Sequence, residues 1–377
     1  LSESVSYRDE AGVNYRVVHS IYHAVDQSAV DALSTDHVSF DRDRESLYLV
    51  HASTIATDGT RHEVDAKGAF IQTPQREADA ALYTSNAELA VIYPHVAPGM
   101  STELIVVVRE NTPVMPGQFA SYRTFGSVWP TRLRRYVFDL PVSDWARLAV
   151  HHSGGRVPAP LVEKYGAERE RRTWSISRMQ ALANEEATPE FRFLAPTLWL
   201  TTVKDWDVFA RWYSGLVADR SELGDDLRDL VETWTDGMTD PKQIVSILHE
   251  TVANEVRYTG LEFGLAGFQP YPCREVWGNR YGDCKDKANL LRAMLLHKGI
   301  DAHLVLLSTE TLGRVEKNSP SWLQFNHCIL AADVGGEMVF CDPTVKYLPA
   351  GVLPPGDAGR DVLVGRADTA QGVGTPE

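Results

Sequence analysis

The sequence has few cysteines and few basic residues for its length. Four cysteines among 377 residues are too few for a disulfide framework. Lys and Arg together number 37 against 51 Asp and Glu, which gives a formal net charge of −14. A surface this acidic repels phosphate backbones, so we expect no nucleic-acid partner.

The sequence also lacks a long apolar run. No stretch approaches the roughly 20 apolar residues that a membrane-spanning helix needs. We therefore expect no transmembrane segment. The sequence begins at Leu1, and no signal-peptide pattern precedes that residue.

The pattern of apolar residues divides the chain into a β-rich first part and a mixed second part. Short β-branched runs, punctuated by Gly and Pro, continue to about residue 140, and Asp58-Gly59 is a favoured hairpin turn. These runs predict an antiparallel β-sandwich domain over residues 1–198. A helix-containing core follows over 199–345, and a Pro/Gly-rich C-terminal extension over 346–377. The fold class predicted for the whole chain is α+β.

Three helices are predicted in the second part from their capping residues. Asp205 precedes an apolar stripe at spacings of three and four. Asp240 precedes a proline at the first helical position. Asp283 precedes a third apolar helix, which Gly299 ends.

Two other stretches are interpreted by their composition. Residues 260–282 are rich in Gly, Pro and aromatics, and we predict a long loop that shapes a substrate cleft. Residues 168–172 form a charge run, which predicts a solvated segment.

Cys284 is the most informative residue of the second part, because it falls in the first turn of the third helix. The unpaired N–H groups of a helix start favour a thiolate over a thiol, and a nearby imidazolium favours it further. Asp283 and Asp286 oppose this effect, while Lys285 and Lys287 offset them. The position is that of a cysteine nucleophile.

His327 and Asp342 follow on two strand-like runs. If residues 335–336 form a two-residue hairpin loop, Val334 pairs with Glu337. His327 and Asp342 then share a face as diagonal neighbours, roughly 7–8 Å apart at Cα. A loop longer by one residue would separate them. The chain order Cys, His, Asp predicts a nucleophile, its base and the group that orients the base.

The remaining cysteines indicate no metal site. Cys328 and Cys341 fall on the opposite face of the same hairpin, which predicts buried packing. The role of Cys273 is left open. No cysteine pair has the short spacing of structural zinc ligands, so a zinc site is the weaker alternative. Each of the three residues has an ordinary structural explanation when taken singly: a Cys at a helix start, a His in a strand and an Asp before Pro. Together they form the ordered set just described.

At these residues the chain resembles the transglutaminase-like superfamily. The segments 281–288 (YGDCKDKA), 325–327 (FNH) and 342–344 (DPT) are similar to its three core motifs. The similarity covers about residues 200–345. The first part resembles a β-rich domain of unknown function that often precedes such cores in bacteria. Many relatives carry Trp two residues after the His, where this chain has Ile329.

The resemblance implies a papain-like α+β core in which Cys284, His327 and Asp342 are catalytic. It implies a thioester acyl-enzyme on a peptide or protein substrate, resolved by water or by an amine acceptor. No calcium-binding acidic loop of the animal type is evident, so no metal and no cofactor are expected. The backbone N–H of Cys284 would supply half of an oxyanion hole, and Gln269 is either the second donor or a plain loop residue.

Three functions are compatible with these residues. The first is cysteine-dependent acyl transfer or amide hydrolysis, the second is a dedicated cysteine protease, and the third is a non-catalytic scaffold that acts through the β-rich domain. The resemblance and the missing starting Met predict export to the periplasm or beyond, with the cytoplasm as the alternative. The sequence indicates no oligomeric state.

Overall fold

The computed structural model describes residues 1–75, 85–183, 188, 190–259, 267–309, 312–365 and 370–374. The chain divides into two compact units, Leu1–Thr202 and Val203–Glu377. Strands dominate the first unit, and the second combines helices with small sheets. The predicted α+β fold class is confirmed.

The first unit consists mainly of strands. They are β1 (Ser2–Arg8), β2 (Asn14–His23), β3 (Thr35–Asp41), β4 (Glu45–Ile55), β5 (Arg61–Glu63), β6 (Ala69–Gln72), β7 (Asn86–Ile92), β8 (Ser101–Glu110), β9 (Ala120–Thr124), β10 (Thr131–Pro141), β11 (Ala149–Ser153), β12 (Leu161–Tyr165), β13 (Arg169–Met179) and β14 (Thr197–Thr201). Its short helices are α1 (Gln27–Leu33), α2 (Val142–Trp145) and α3 (Phe191–Leu194).

These strands form one large sheet and two small ones. The large sheet has the order β12-β13-β10-β1-β2-β8-β4-β5, and the small sheets have the orders β3-β7-β6 and β11-β14-β9. The described pairs are antiparallel except β1 with β10, which run parallel. Gly59 adopts a φ of 86° between β4 and β5, as the predicted hairpin turn requires. Buried side chains such as Phe138 and Trp174 fill one core of this unit, and Leu89 and Val106 fill another.

The charge run 168–172 departs from its prediction, because most of it lies in β13. Arg169 and Arg171 each place an Nη2 2.8 Å from a carboxylate oxygen of the buried Asp139. A carboxylate that is removed from water needs such partners. The interpretation as a solvated stretch is therefore wrong for the side chains that hold Asp139.

The second unit combines five α-helices and several short strands in its described part. The helices are α4 (Trp206–Val217), α5 (Asp225–Trp234), α6 (Pro241–Glu255), α7 (Cys273–Asn279) and α8 (Cys284–His297). The strands are β15 (Arg257–Tyr258), β16 (Tyr281–Gly282), β17 (Ala302–Leu307), β18 (His327–Val334), β19 (Glu337–Cys341), β20 (Asp361–Gly365) and β21 (Ala370–Gly374). Every described helix is too short or too polar to cross a bilayer.

Local capping explains where the helices of this unit begin. The side chains of Asp205, Asp240 and Asp283 each accept a hydrogen bond from a backbone N–H in the first turn of α4, α6 and α8. All three predicted helix starts are confirmed. The predicted loop 260–282 is only partly a loop, because α7 occupies 273–279 until Arg280 ends it in the left-handed conformation.

The main sheet of this unit positions the candidate site. Its order is β19-β18-β17-β20-β21, and α8 packs against β17 and β18. Val305, Ile329 and Phe340 belong to its buried core, together with Val362 and Val364 from β20. The helix that begins at Cys284 and the strand that begins at His327 therefore pack against each other.

Candidate active site

Two aspartates fix the start of α8, where Cys284 lies. The Asp283 carboxylate accepts a hydrogen bond from the Asp286 N–H at 3.2 Å, and the Asp286 carboxylate accepts one from the Asp283 N–H at 3.1 Å. This reciprocal capping box satisfies backbone donors that a helix start leaves unpaired. Gly282 precedes it, where a Cβ would lie 2.8 Å from the Asp286 Cβ. Cys284 therefore has a defined position, and only 4% of it is exposed.

Lys285 adds a buried positive charge beside the thiol. Its ammonium pairs with the Asp283 carboxylate, and both residues are buried. Burial lowers the pKa of Lys285, but the negative charges of Asp283 and Asp286 outweigh this effect and raise the pKa above its ordinary value. Burial, followed by the Asp283 charge, raises the pKa of Asp286 to about 6. A lysine that stays protonated beside a thiol favours the thiolate.

His327 and Asp342 meet at the end of the β18–β19 hairpin. Val334 pairs with Glu337 across a two-residue loop, as predicted. Asp342 directly follows β19, and the next residue is a proline, which has no N–H with which to extend the ladder. The His327 Nε2 lies 3.2 Å from the Asp342 Oδ2. The hairpin thus places a carboxylate on one nitrogen of the imidazole.

Three donors hold Asp342 in this position. Thr344 donates its N–H and its hydroxyl to the Asp342 Oδ1, at 2.9 and 2.7 Å. His249 in α6 lies with its Nε2 3.1 Å from the Asp342 carbonyl oxygen. Burial raises the pKa of Asp342, but the bonds from His327 and Thr344 outweigh burial, and the pKa lies below its ordinary value. Asp342 is therefore the ionised partner of His327.

Asp357 is a second carboxylate at the same nitrogen. Its Oδ2 lies 3.6 Å from the His327 Nε2, and the residue is buried. Burial, the Asp342 charge and a contact with that carboxylate raise the pKa of Asp357 to about 6, against the opposing effect of His327. Asp357 lies in the segment 354–360, between β19 and β20. The sequence interpretation missed it because an Asp after Pro-Pro-Gly has the pattern of an ordinary turn.

The same three residues offer atoms of the kind that ligate metals. The side-chain nitrogen and oxygens of His327, Asp342 and Asp357 lie within 4.8 Å of one another. The 3.2 Å contact of His327 with Asp342 is already a hydrogen bond, however. As the structure stands, these atoms therefore form a hydrogen-bonded imidazole–carboxylate pair with a second carboxylate beside it.

Cys284 and His327 line one cavity of about 260 Å³, which we call the Cys284 cavity. Its lining residues are Tyr213, Gly267, Phe268, Cys284, Lys285, Leu306, Phe325, Asn326, His327 and Cys328. The cavity therefore joins the helix start that carries the thiol to the strand start that carries the imidazole.

Aromatic side chains support one wall of the Cys284 cavity. The ring of Phe325 stacks on Phe209 in α4, with centroids 5.9 Å apart and planes 14° apart. The ring of Phe268 lies 5.7 Å from that of Trp212 in the same helix. This wall suits an apolar part of a substrate. Residues 260–266 of the predicted cleft loop lie outside the described residues.

The other residues named from the sequence have structural partners. Gln269 donates its amide to the Leu216 carbonyl at 3.1 Å, which fits a loop role. No disulfide joins the four cysteines, all of which are described and buried. Cys328 is buried as predicted, but it also lines the Cys284 cavity. Cys273 packs its sulfur against Asn289, at 3.4 Å from the amide nitrogen.

This arrangement suits nucleophilic chemistry. A thiol at a helix start can attack an electrophilic carbon, and the backbone donors there can stabilise the oxyanion that forms. Because Asp342 engages Nε2 of His327, proton exchange with a thiol would use Nδ1. In the structure, His327 is hydrogen-bonded to Asp342, and Cys284 and His327 line the same cavity.

Comparison with known families covers the first part of the chain. Residues 11–183 match DUF3857, a family described as a domain of unknown function for which a structure has been solved. No curated protein sequence matches the chain.

Comparison with solved structures covers the whole chain. A protein from Parabacteroides distasonis, described as a candidate protease, aligns with a TM-score of 0.80 over 99% of this chain and 71% of its own, at 15% identity. A candidate cysteine protease from Cytophaga hutchinsonii aligns over 60% of this chain and 78% of its own, at 13% identity and a TM-score of only 0.29. The first similarity shows a shared fold.

Proposed function

We propose that the chain is a transglutaminase-like enzyme that cleaves an amide bond of a peptide or protein through a thioester on Cys284. The observation that carries the proposal is the Cys284 cavity, whose wall contains both Cys284 and a His327 held by Asp342. The fold shared with a candidate protease also supports an amide substrate.

The reaction has two halves. The Cys284 thiol gives its proton to Nδ1 of His327, and the sulfur attacks the amide carbonyl. His327 then returns that proton to the departing amine, and the acyl group stays on the Cys284 sulfur as a thioester. Water or a second amine attacks the thioester and gives a proton to His327, and the acyl group leaves as a carboxylic acid or a new amide. The proton finally returns to the sulfur.

Hydrolysis and transfer differ only in the acceptor. We propose water as the acceptor, in agreement with the description of the structurally similar protein as a candidate protease. The test compares the products from a glutamine-containing peptide library with and without an excess of a primary amine. A carboxylic acid in both reactions supports hydrolysis, whereas an amine adduct that forms at the expense of the acid shows transfer.

The nucleophile can be tested without knowledge of the substrate. Burial is the main cause that raises the pKa of Cys273, Cys328 and Cys341 to about 12, so these thiols are protonated at pH 6. Iodoacetamide at pH 6 should therefore label one cysteine, Cys284. His327→Ala should slow the labelling at least tenfold.

The control for labelling is Cys284→Ala, which should remove both the label and the cleavage activity. Labelling of several cysteines, or an unchanged rate in His327→Ala, would exclude an activated thiol. Peptide cleavage that survives in Cys284→Ala would exclude the proposed mechanism. A scaffold function would then be the better explanation of the fold.

We further propose that the protein is exported. This proposal rests on the resemblance of its core to the transglutaminase-like superfamily. Fractionation of cells that produce the full-length protein tests it, and recovery of the protein in the cytoplasmic fraction alone would contradict it.

A further inference from the structure

We propose that Asp357 is a second positioning carboxylate, which acts with Asp342 to hold His327 in its protonated, proton-donating form. The inference rests on the proposed function, because His327 must carry a proton between the thiol and the leaving amine. It concerns a residue that lies outside the three motifs and reaches the site from the segment between β19 and β20.

The geometry separates the roles of the two carboxylates. The Asp342 Oδ2 lies 3.2 Å from the His327 Nε2, which is hydrogen-bond distance. The Asp357 Oδ2 lies 3.6 Å from the same nitrogen, beyond a good hydrogen bond but within the range of a strong charge interaction. Asp342 therefore orients the His327 imidazole, and Asp357 adds negative charge at the same edge of that ring.

The segment that carries Asp357 holds the carboxylate in place. The backbone N–H of Asp357 donates to the Pro354 carbonyl at 2.9 Å, and the N–H of Ala358 donates to the same carbonyl at 3.2 Å. The following strand, β20, pairs with β17 through Val362 and two further residues. Asp357 is therefore fixed by a turn and by the sheet.

Burial makes the second carboxylate consequential. Asp357 is 4% exposed and Asp342 is 3% exposed, so each senses the other's charge with little screening by water. Two buried carboxylates at one site do not ionise together easily, and one of them keeps a proton to higher pH. The Asp342 carboxylate is hydrogen-bonded to His327 and twice to Thr344, so it is the one that ionises first.

The charged groups near this pair come from several elements. Three groups act on Asp357: His327 at the start of β18, Asp342 after β19, and Arg360 in the same segment as Asp357. Two more act on Asp342: His249 in α6 and Lys287 in α8. The side chains of His327 and Asp342 contact Asp357, and the charge of Arg360 also acts on it.

The consequence is a step near pH 6 in the rate of Cys284 alkylation. The pKa of Asp357 is raised to about 6, so this carboxyl is neutral below that pH and anionic above it. An added anion beside an imidazole favours the imidazolium, and through it the thiolate form of the nucleophile. We expect the rate of Cys284 alkylation to rise through an additional inflection near pH 6.

The test compares the wild-type protein with Asp357→Asn and Asp357→Glu. Asp357→Asn keeps the shape and removes the charge, so the inflection near pH 6 should vanish. Asp357→Glu keeps a charge near the ring and should retain the inflection. If Asp357 has only a structural role, both substitutions should change the alkylation rate alike and leave its pH dependence unchanged.

The outcomes separate this inference from the proposed function. If alkylation depends on His327 but the profile of Asp357→Asn matches the wild type, Asp357 has no positioning role and the proposed function stands. If alkylation does not depend on His327, both fail. Should Asp357→Asn not fold, the profile of the wild-type protein decides, because a single ionisation between pH 4 and 8 would overturn the inference.

Discussion

At the residue scale, the environment of Cys284 is a set of opposed charges in a buried space. Asp283 and Asp286 supply negative charge, and Lys285 supplies the positive charge that faces them. Interactions between charges are much stronger in such a space than at a surface. The reactivity of Cys284 should therefore depend on this local balance.

A double substitution tests the contribution of Lys285. Lys285→Met alone would leave Asp283 as an unpaired buried charge, which typically costs about 3–5 kcal/mol of stability. Lys285→Met combined with Asp283→Asn avoids that cost and keeps an oxygen for the helix cap. We expect the double variant to fold and to alkylate at pH 6 about tenfold more slowly than the wild type, which corresponds to a change of one pKa unit.

Asp283→Asn alone is the matched control, because it retains the ammonium beside the thiol, and Asp286 still balances the charge of Lys285. It should alkylate at least as fast as the wild-type protein. A double variant that reacts at the wild-type rate would show that the charge of Lys285 does not act on the sulfur.

At the element scale, the contact between β16 and the first turn of α8 determines where the thiol lies. Gly282 ends β16, and a methyl group there would approach the Asp286 Cβ to 2.8 Å and the Val276 Cγ1 to 3.2 Å. Neither neighbour can move without shifting the capping box or α7. The absence of a side chain at this position therefore has a steric reason.

Gly282→Ala should displace the start of α8. We expect a loss of about 1–3 kcal/mol in the free energy of unfolding, typical of overpacking, and slower alkylation of Cys284. Urea denaturation and the labelling assay measure the two effects. Gly278→Ala in α7 is the matched control, because a Cβ there meets no atom within 4 Å. If Gly282→Ala is as stable and reactive as Gly278→Ala, the close approach does not matter.

At the scale of the whole molecule, the segment after residue 345 completes the second unit. β20 pairs with β17, and its Val362, Leu363 and Val364 are buried. Complete burial of such side chains contributes about 1.5–3 kcal/mol each. Their sum is comparable with the entire stability of a typical domain, about 5–15 kcal/mol.

A chain that ends at residue 345 should therefore not fold its second unit, although all three sequence motifs are retained. Calorimetry should show the loss of one thermal transition, and Cys284 should no longer label selectively at pH 6. A chain that ends at residue 374 is the control and should behave as the wild type. A stable, selectively labelled chain of 345 residues would contradict the role given to β20.

The sequence predicted the local features of the site well. The helix starts at Asp205, Asp240 and Asp283 followed from capping, in which donor and acceptor lie within three residues of each other. The pairing of Val334 with Glu337 followed from the shortest hairpin loop. Such features depend on neighbouring residues and are visible without the fold.

Features that depend on contacts between distant residues were harder to predict. The run 168–172 looked solvated because its partner, Asp139, lies about thirty residues earlier. α7 was predicted as a loop because its composition resembles one, although its apolar side packs against α8. The catalytic roles of Cys284, His327 and Asp342 stay predictions that the labelling experiment tests.

The sequence by itself determined which residues could do the chemistry, since a thiol at a capped helix start and a hairpin carrying His and Asp are local patterns. Only the tertiary structure decided that Asp357 reaches the ring nitrogen that Asp342 already holds. The physical reason is that the position of Asp357 depends on the sheet pairing of β20 and on the packing around it. No pattern of neighbouring residues records those contacts.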